Sequence, residues 1–440
     1  MNTNIEFRKA AEQIFLAGVK RVTPSILMPA CMSLEDNILK AGQYSFNTGE
    51  FRRIYVIGAG KASAAMAAEV EKILGERISG GHIIVRYGHS CRLKRIQVAE
   101  AGHPIPDQNG FRATGAVLEI ARKAEENDLV ICLISGGGSA LLSDFPEGSG
   151  ADDIMVMNSL LVNCGADISE INAVRKHVSA VKGGQLARAV YPATLLNLMI
   201  SDVAGDPLDV IASGPTVPDP TTFRHAMQVL EKYDIDIPGS LLRHLREGLE
   251  GRIPETPKEG DPVFYRTFNI LAGTNSLALE AAAEKARGYN LNAAIVNTRL
   301  QGDVKSVSDY LFETAIRIKN DQVDKKPVCL LFGGETTVKM TGKGKGGRNQ
   351  HLALLMARYL KDHPGVTFLS GGTDGNDGPT DAAGAVVDSE TTRHAIEKNI
   401  DPEKYLAEFD SYNFFKKSGG HVITGPTLTN VMDIMVMIIR

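Results

Sequence analysis

The segment RIYVIGAGKASAAM (residues 53–66) puts a lysine directly after a Gly-x-Gly turn at the end of an apolar run. Glycines at such a turn let backbone N–H groups approach an anion, and a cation there adds charge. The turn is not a dinucleotide fingerprint, because Ser63 stands where the third glycine of G-x-G-x-x-G belongs. Nor is it a P-loop, which needs a longer loop before its lysine. Lys61 is therefore a candidate clamp for a phosphate or carboxylate. A second turn, ISGGGSALL (134–142), supplies three consecutive glycines framed by Ser135 and Ser139.

Other segments add charge. EINAVRKHVSAVKGGQLA (170–187) reads as a helix carrying Arg175, Lys176, His177 and Lys182 with no interleaved acid. It is either an anion-facing surface or a solvated basic face. After the apolar run LLNLMI come Asp202, Asp206 and Asp209, which suit Mg²⁺ ligation, a base, or simple turn capping. Further on, Glu335 precedes a glycine loop with Lys343, Lys345 and Arg348, and SGGTDGNDGPTDAAGA carries Asp374, Asp377 and Asp381. The EF-hand spacing is absent there. So are H-E-x-x-H, G-x-S-x-G and C-x-x-C elsewhere, which removes the main support for zinc protease, α/β-hydrolase and zinc-ribbon readings.

The elements that must position these residues alternate between apolar runs and helical stretches. RIYVIG, GGHIIVR, DLVICLIS, TLLNLMIS, TFNILAG, PVCLLFGG and GVTFLSGG lack period-2 alternation, as strands buried on both faces do. Helices are expected at 62–74, 110–126 and 276–287, the first with Met66, Val70, Ile73 and Leu74 on one face. This βα alternation predicts α/β layers with largely parallel sheets. Five strands end in glycine clusters: GAGK, SGGGS, AGTNS, GGET and SGGTDG. Ligands of open parallel sheets sit beyond the carboxyl ends of strands. Gly58, Gly60, Ser135, Gly136, Gly137, Gly138, Ser139, Asn275, Gly333 and Glu335 are thereby candidate contacts for an anionic ligand.

The polar, Gly/Pro-rich segment 247–262 is the expected linker between a larger and a smaller domain. A net charge of -4 without a dominant basic patch excludes a nucleic-acid partner. The amino terminus reads as an amphipathic helix rather than a signal peptide, and no apolar run is long enough to span a bilayer. Five scattered cysteines fit a reducing, cytoplasmic setting. Backbone donors, three cation groups and two acidic clusters together make the mixture that phosphoryl transfer needs.

These motifs, with HPIPDQNG, SDVAGDPLDVIASGPT, GRNQHLAL and GPTLTNVMD, resemble the class II glycerate 2-kinases over about Phe7 to Asp433. The resemblance implies a Rossmann-like amino-terminal domain (1–255) and a smaller α/β domain (263–440) containing a MOFRL segment (327–433), with the active site in the cleft between them. It implies ATP-dependent phosphorylation of D-glycerate to 2-phosphoglycerate with Mg²⁺ or another divalent cation, and it leaves room for a homodimer. Lys61 and Arg348 fall on the family's functional lysine and arginine. Asp202 becomes a catalytic or metal residue, with Asp206, Asp374 and Asp377 as further metal candidates. His351 stands where the family pattern has an acidic residue. The alternatives are a nicotinamide-dependent hydroxypyruvate reductase and a non-catalytic sugar-phosphate-binding protein. Against the reductase, the strand HIIVR ends in Arg86 where NAD recognition wants an acid.

Overall fold

The computed structural model describes residues 3–321 and 326–440; the first two residues of the expected amino-terminal helix lie outside them. The chain forms two compact units. One is Pro24–Ala272, and the other is Gly273–Arg440 together with α1 (Thr3–Arg21).

The first unit is built on β1 (Arg53–Ala59), β2 (Ile78–Arg86), β3 (Gln97–Ala101), β4 (Asp128–Ile134), β5 (Thr194–Ile200) and β6 (Thr267–Gly273). Their order in the sheet is β3-β2-β1-β4-β5-β6, and the pairs from β3 through β5 are parallel. Every residue of β4 and β5 is buried, which is why these runs show no polar alternation. Successive strands wind outward to one side of β1 and then to the other, so the switch point lies between β1 and β4. Around this sheet lie α2 (Ser63–Leu74), α3 (Gln108–Lys123), α4 (Ala151–Asn163) and α5 (Ile168–Lys176). Met66, Val70 and Leu74 of α2 are buried as their spacing requires. A small antiparallel sheet of residues Met32–Glu35, Ile38–Ala41 and Tyr44–Asn47 completes the unit's amino-terminal side.

The second unit has its own six-stranded sheet of β7 (Asn292–Asp303), β8 (Val328–Thr337), β9 (Val366–Gly372), β10 (Gly384–Asp388), β11 (His421–Val422) and β12 (Asp433–Ile439). The order is β7-β8-β12-β9-β10-β11. Only β7 and β8 pair in parallel; the other four neighbours are antiparallel. This departs from the expected parallel layers, because a fully buried strand reads the same in either direction. Helices α6 (Asn275–Gly288), α7 (Val304–Asp321) and α8 (Arg348–Leu360) accompany the sheet. Phe332, Leu352, Met356, Phe368, Met435 and Met437 lie in its core.

Three further expectations are corrected. Segment 247–262 does not link the units. Its Glu255 meets His177, its Thr256 Oγ1 donates to Asp219 at 2.9 Å, and the chain goes on to add β6 to the first sheet. The helix expected over 170–187 stops at Lys176, and Gly183 and Gly184 at φ +58° and +78° lead into a separate short helix, Gln185–Val190. Finally, α1 belongs to the carboxyl-terminal unit. Arg8 forms a two-pronged ion pair with Asp388 at 2.7 and 2.9 Å, and Ile14 and Phe15 are fully buried.

The exits of β1 and β4 touch. Gly60 has φ +144°, and a Cβ there would lie 2.2 Å from Ser135 Oγ and 2.5 Å from its carbonyl oxygen. Gly60→Ala is therefore expected to lose about 1–3 kcal/mol from overpacking, before any backbone strain is added. Denaturant unfolding checks this, and an unchanged midpoint would show that the two turns are not locked together.

Candidate active site

The site grows from four neighbouring strand ends of the first unit. After β1, the N–H of Gly60 bonds to Ile84 of β2 at 3.0 Å, and the N–H of Lys61 bonds to the Gly136 carbonyl at 2.9 Å. Ser135 was expected to cradle the ligand. Instead its buried hydroxyl accepts the Ala62 N–H at 3.0 Å and lies 3.1 Å from Ser63 Oγ, which also donates to Leu133 at 3.0 Å. The serine at the third fingerprint position thus fastens α2 to β4. Gly58 packs as tightly, since its Cβ would sit 2.1 Å from the Leu133 carbonyl oxygen.

Gly58, Gly60 and Ser135 therefore build the turn rather than bind through side chains. What the turn presents is Lys61 and the loop after Ser135. Gly137 adopts φ +82°, and Gly138 opens a short helical turn. The N–H groups of Gly136 and Gly137 have no hydrogen-bond partner among the described residues. Ser139 Oγ lies 2.8 Å from Ser213 Oγ, which donates to Asn172 at 3.0 Å.

His103, just after β3, is the residue the sequence reading passed over. Its ring lies against Gly137, where a Cβ would be 2.7 Å from Nε2. Burial, and then the charges of Lys61, Arg86 and His89, hold its pKa down to about 4. The imidazole is accordingly neutral at physiological pH within a cationic strand-end cluster. Its sequence signal was available in HPIPDQNG, where His103 precedes a proline and Asp107 caps α3 through the Gly110 N–H at 2.9 Å.

After β5, Asp206 sits in a positive-φ turn (+57°) with Oδ1 buried and unpartnered, and Asp202 lies nearer the strand end. The basic stretch resolves into separate roles. Lys176 lies 3.2 Å from Asp219 and 3.7 Å from Asp209, and buried His177 lies 3.2 Å from Glu255. His177 is structural, as a lone histidine on a helix more often is.

In the second unit, Arg348 opens α8. Its Nε and Nη2 grip Asp433 at 2.6 and 2.9 Å, and Nη1 meets Glu335 at 2.6 Å. Burial opposes its charge, but Asp433 and then Glu335 outweigh burial and hold its pKa above the ordinary value. Asp433 was not singled out from sequence. Asn275 and Gly333, expected at a cofactor, instead pack on each other. Asn275 Nδ2 donates to the carbonyls of Val431 and Asp433 at 2.8 and 3.0 Å, and a Cβ on Gly333 would fall 1.6 Å from Asn275 Oδ1.

Asp377 is a helix cap. Its carboxylate accepts the N–H groups of Asn349 and Gln350 at 3.0 and 2.8 Å and the Gln350 side chain at 2.9 Å, which leaves little capacity for a metal. Asp374 accepts the Asn376 N–H at 3.1 Å, as a turn former does. His351 stacks on Phe409 with ring centroids 4.6 Å apart, so this position is packed rather than charged.

Among the described residues no three His, Cys, Asp or Glu side chains come together as a metal cage. Mg²⁺ usually binds through one or two carboxylates plus substrate phosphates and water. The orphaned Asp206 oxygen fits that kind of site. Asp377, bonded as above, does not.

The fold is that of an α/β protein whose glycine-rich loops meet at the switch point of a mostly parallel sheet, the place where open α/β sheets bind their ligands. Residues 10–246 match the domain-of-unknown-function family DUF4147, and residues 328–433 match the MOFRL family. The glycerate 2-kinase of Pyrococcus horikoshii is 45% identical over 88% of this chain and 87% of its own length. A relative from Agrobacterium vitis, 41% identical over 88% of this chain and 87% of its own, carries the provisional name hydroxypyruvate reductase. The crystal structure of the Thermotoga maritima glycerate kinase superposes with a TM-score of 0.87 at 38% identity, covering 99% of this chain and 100% of that one. The chain belongs to the glycerate kinase family.

One pH effect follows from the helix cap. Burial pushes the Asp377 carboxyl up from 3.8 to about 6, despite hydrogen bonds from Gln350 and Asn349. The folded state then holds this proton more tightly than the unfolded state does. Wild type should lose stability relative to Asp377→Asn as pH rises through that window, and the difference should level off above it. Unfolding midpoints of both proteins across the window check this; a pH-independent difference would contradict a buried, proton-holding cap.

Proposed function

We propose that the protein transfers the γ-phosphoryl group of ATP to the 2-hydroxyl of D-glycerate, giving 2-phospho-D-glycerate. The observation that carries this reading is the pair of interlocked glycine turns at the β1/β4 switch point, which bring Lys61 together with the open N–H groups of Gly136 and Gly137. Membership of the glycerate kinase family supports it. Phosphoryl transfer is mostly positioning and charge stabilisation, and these are the groups for it.

In this reading Lys61 and the Gly136–Ser139 loop stabilise charge on the transferring group or hold the acid's carboxylate. Arg348 contributes a fork fixed in orientation by Asp433 and Glu335. Asp202 or Asp206 orients the attacking hydroxyl or completes the shell of a nucleotide-borne Mg²⁺. A bound Mg²⁺ supplies charge neutralisation on the phosphates, while the side chains bind and orient. The reductase reading finds no support in the site: Ser63 ties α2 to β4 at the position where the dinucleotide fingerprint has its third, helix-packing glycine, and β2 ends in Arg86. No single described helix is long and apolar enough to cross a membrane, and all five cysteines are free. The proposed setting is reducing and cytoplasmic, which the five scattered cysteines fit.

ADP release that requires both D-glycerate and MgATP tests the reading, and oxidation of NAD(P)H by hydroxypyruvate would favour the reductase. Lys61→Ala should lower kcat/KM by about 10²–10³, the cost of removing one charge-stabilising donor. Near wild-type turnover by that variant would remove Lys61 from the mechanism.

A further inference from the structure

Three cations and a buried histidine lie along the chain from the last turn of α5 to the short helix that follows it, and the structure gives Lys176, His177 and Lys182 partners within the protein. Lys176 pairs with Asp219, and His177 pairs with Glu255. Lys182 Nζ donates to the Leu142 carbonyl and lies in the field of Asp144. Arg175 differs. Its Nε donates to Asn158 Oδ1 at 2.7 Å, and among the described residues no carboxylate pairs with its guanidinium. Burial pulls its pKa below the ordinary value, with no acid acting against that shift. A half-buried guanidinium without a counter-ion is poorly stabilised until an anion arrives.

Arg175 lines a cavity of about 480 Å³, within the roughly 300–1,000 Å³ typical of small-molecule sites. Met155, Met157, Val162 and Val178 form apolar walls, and Gly137 and Ser139 of the glycine loop line the same space. The cavity therefore joins the cation to the loop at the switch point. Its charged lining residues are Asp144, Arg175 and Lys182. Asp144 and Lys182 offset each other, and His103 at the rim is neutral. One positive charge remains.

A single excess cation among apolar walls matches one monoanion. A triphosphate would bring several charges that nothing here compensates. We propose that this cavity receives the acceptor acid and that Arg175 binds its carboxylate through the two-pronged geometry of a guanidinium. The cavity is larger than a three-carbon acid, but the two methionines are adaptable enough to close on a short ligand. This inference rests on the kinase reading, and it names the residue that selects a hydroxy acid over an uncharged polyol.

The test uses the full-length enzyme and its Arg175→Ala and Arg175→Lys variants. KM is measured for D-glycerate and ATP separately, and D-glycerate binding is measured calorimetrically without nucleotide. Arg175→Ala should raise KM and Kd for glycerate about 10–100-fold, the loss of a charge-assisted hydrogen-bonding pair. KM for ATP should stay within about twofold of wild type, which also shows that the variant is folded. Arg175→Lys should recover only part of the loss, because an ammonium is a point charge. The preference for glycerate over glycerol should collapse in Arg175→Ala. Unchanged glycerate binding, or a rise confined to the KM for ATP, would overturn the inference. A wild-type enzyme that releases no ADP with glycerate would instead overturn the kinase reading on which it rests.

Discussion

The approach of Gly60 to Ser135 is the constraint on which the rest of the site depends. No side chain fits at Gly60, because its Cβ would lie inside the Ser135 hydroxyl. In return, that hydroxyl accepts the Ala62 N–H, and the Gly136 carbonyl accepts the Lys61 N–H. Two turns that would each be mobile alone become one rigid seam between β1 and β4. The seam fixes where Lys61 leaves the sheet and turns the Gly136 and Gly137 N–H groups away from internal partners. His103 then packs on Gly137 from the β3 side. Preorganised donors of this kind need no reorganisation when charge develops, and that is what makes them effective.

Charge is handled differently in the two units. In the carboxyl-terminal unit, Arg348 is held by Asp433 and Glu335, and Asn275 fixes the carbonyl of that same Asp433. The fork is oriented by its own chain before any ligand is considered. In the amino-terminal unit Lys176 and Lys182 have partners within the protein, and Arg175 differs from them. Burial, and then the neighbouring cations, keep His103 neutral, and Arg175 lines its cavity with no carboxylate paired to its guanidinium among the described residues. A site that binds an anion gains from this arrangement, because the ligand supplies the missing charge.

Much of this was legible in the sequence, for identifiable reasons. The βα register, the glycine-terminated strands and the position of Lys61 follow from patterns within a dozen residues. What the sequence hid were pairings across long separations. Asp377 caps a helix 28 residues away, Asp433 holds an arginine 85 residues away, and Arg8 docks 380 residues from its partner. The antiparallel sense of the second sheet was hidden too, since buried strands carry no mark of direction. Polar residues were legible as to chemistry but not as to use. Ser135 and Asn275 have the groups a ligand wants, and the fold spends them on itself. Among Arg175, Lys176, His177 and Lys182, only the structure separates the cavity-lining cation that has no internal counter-charge among the described residues from the residues already partnered.

The central claim is that the loop cluster at the β1/β4 switch point serves phosphoryl transfer to the 2-hydroxyl of glycerate. Identification of the product of D-glycerate and MgATP by ³¹P and ¹H NMR tests it most directly. The account predicts 2-phosphoglycerate, with phosphorus coupled to the single proton on carbon 2. Phosphorus coupled to the methylene protons of 3-phosphoglycerate, or no phosphorylated product, would contradict it.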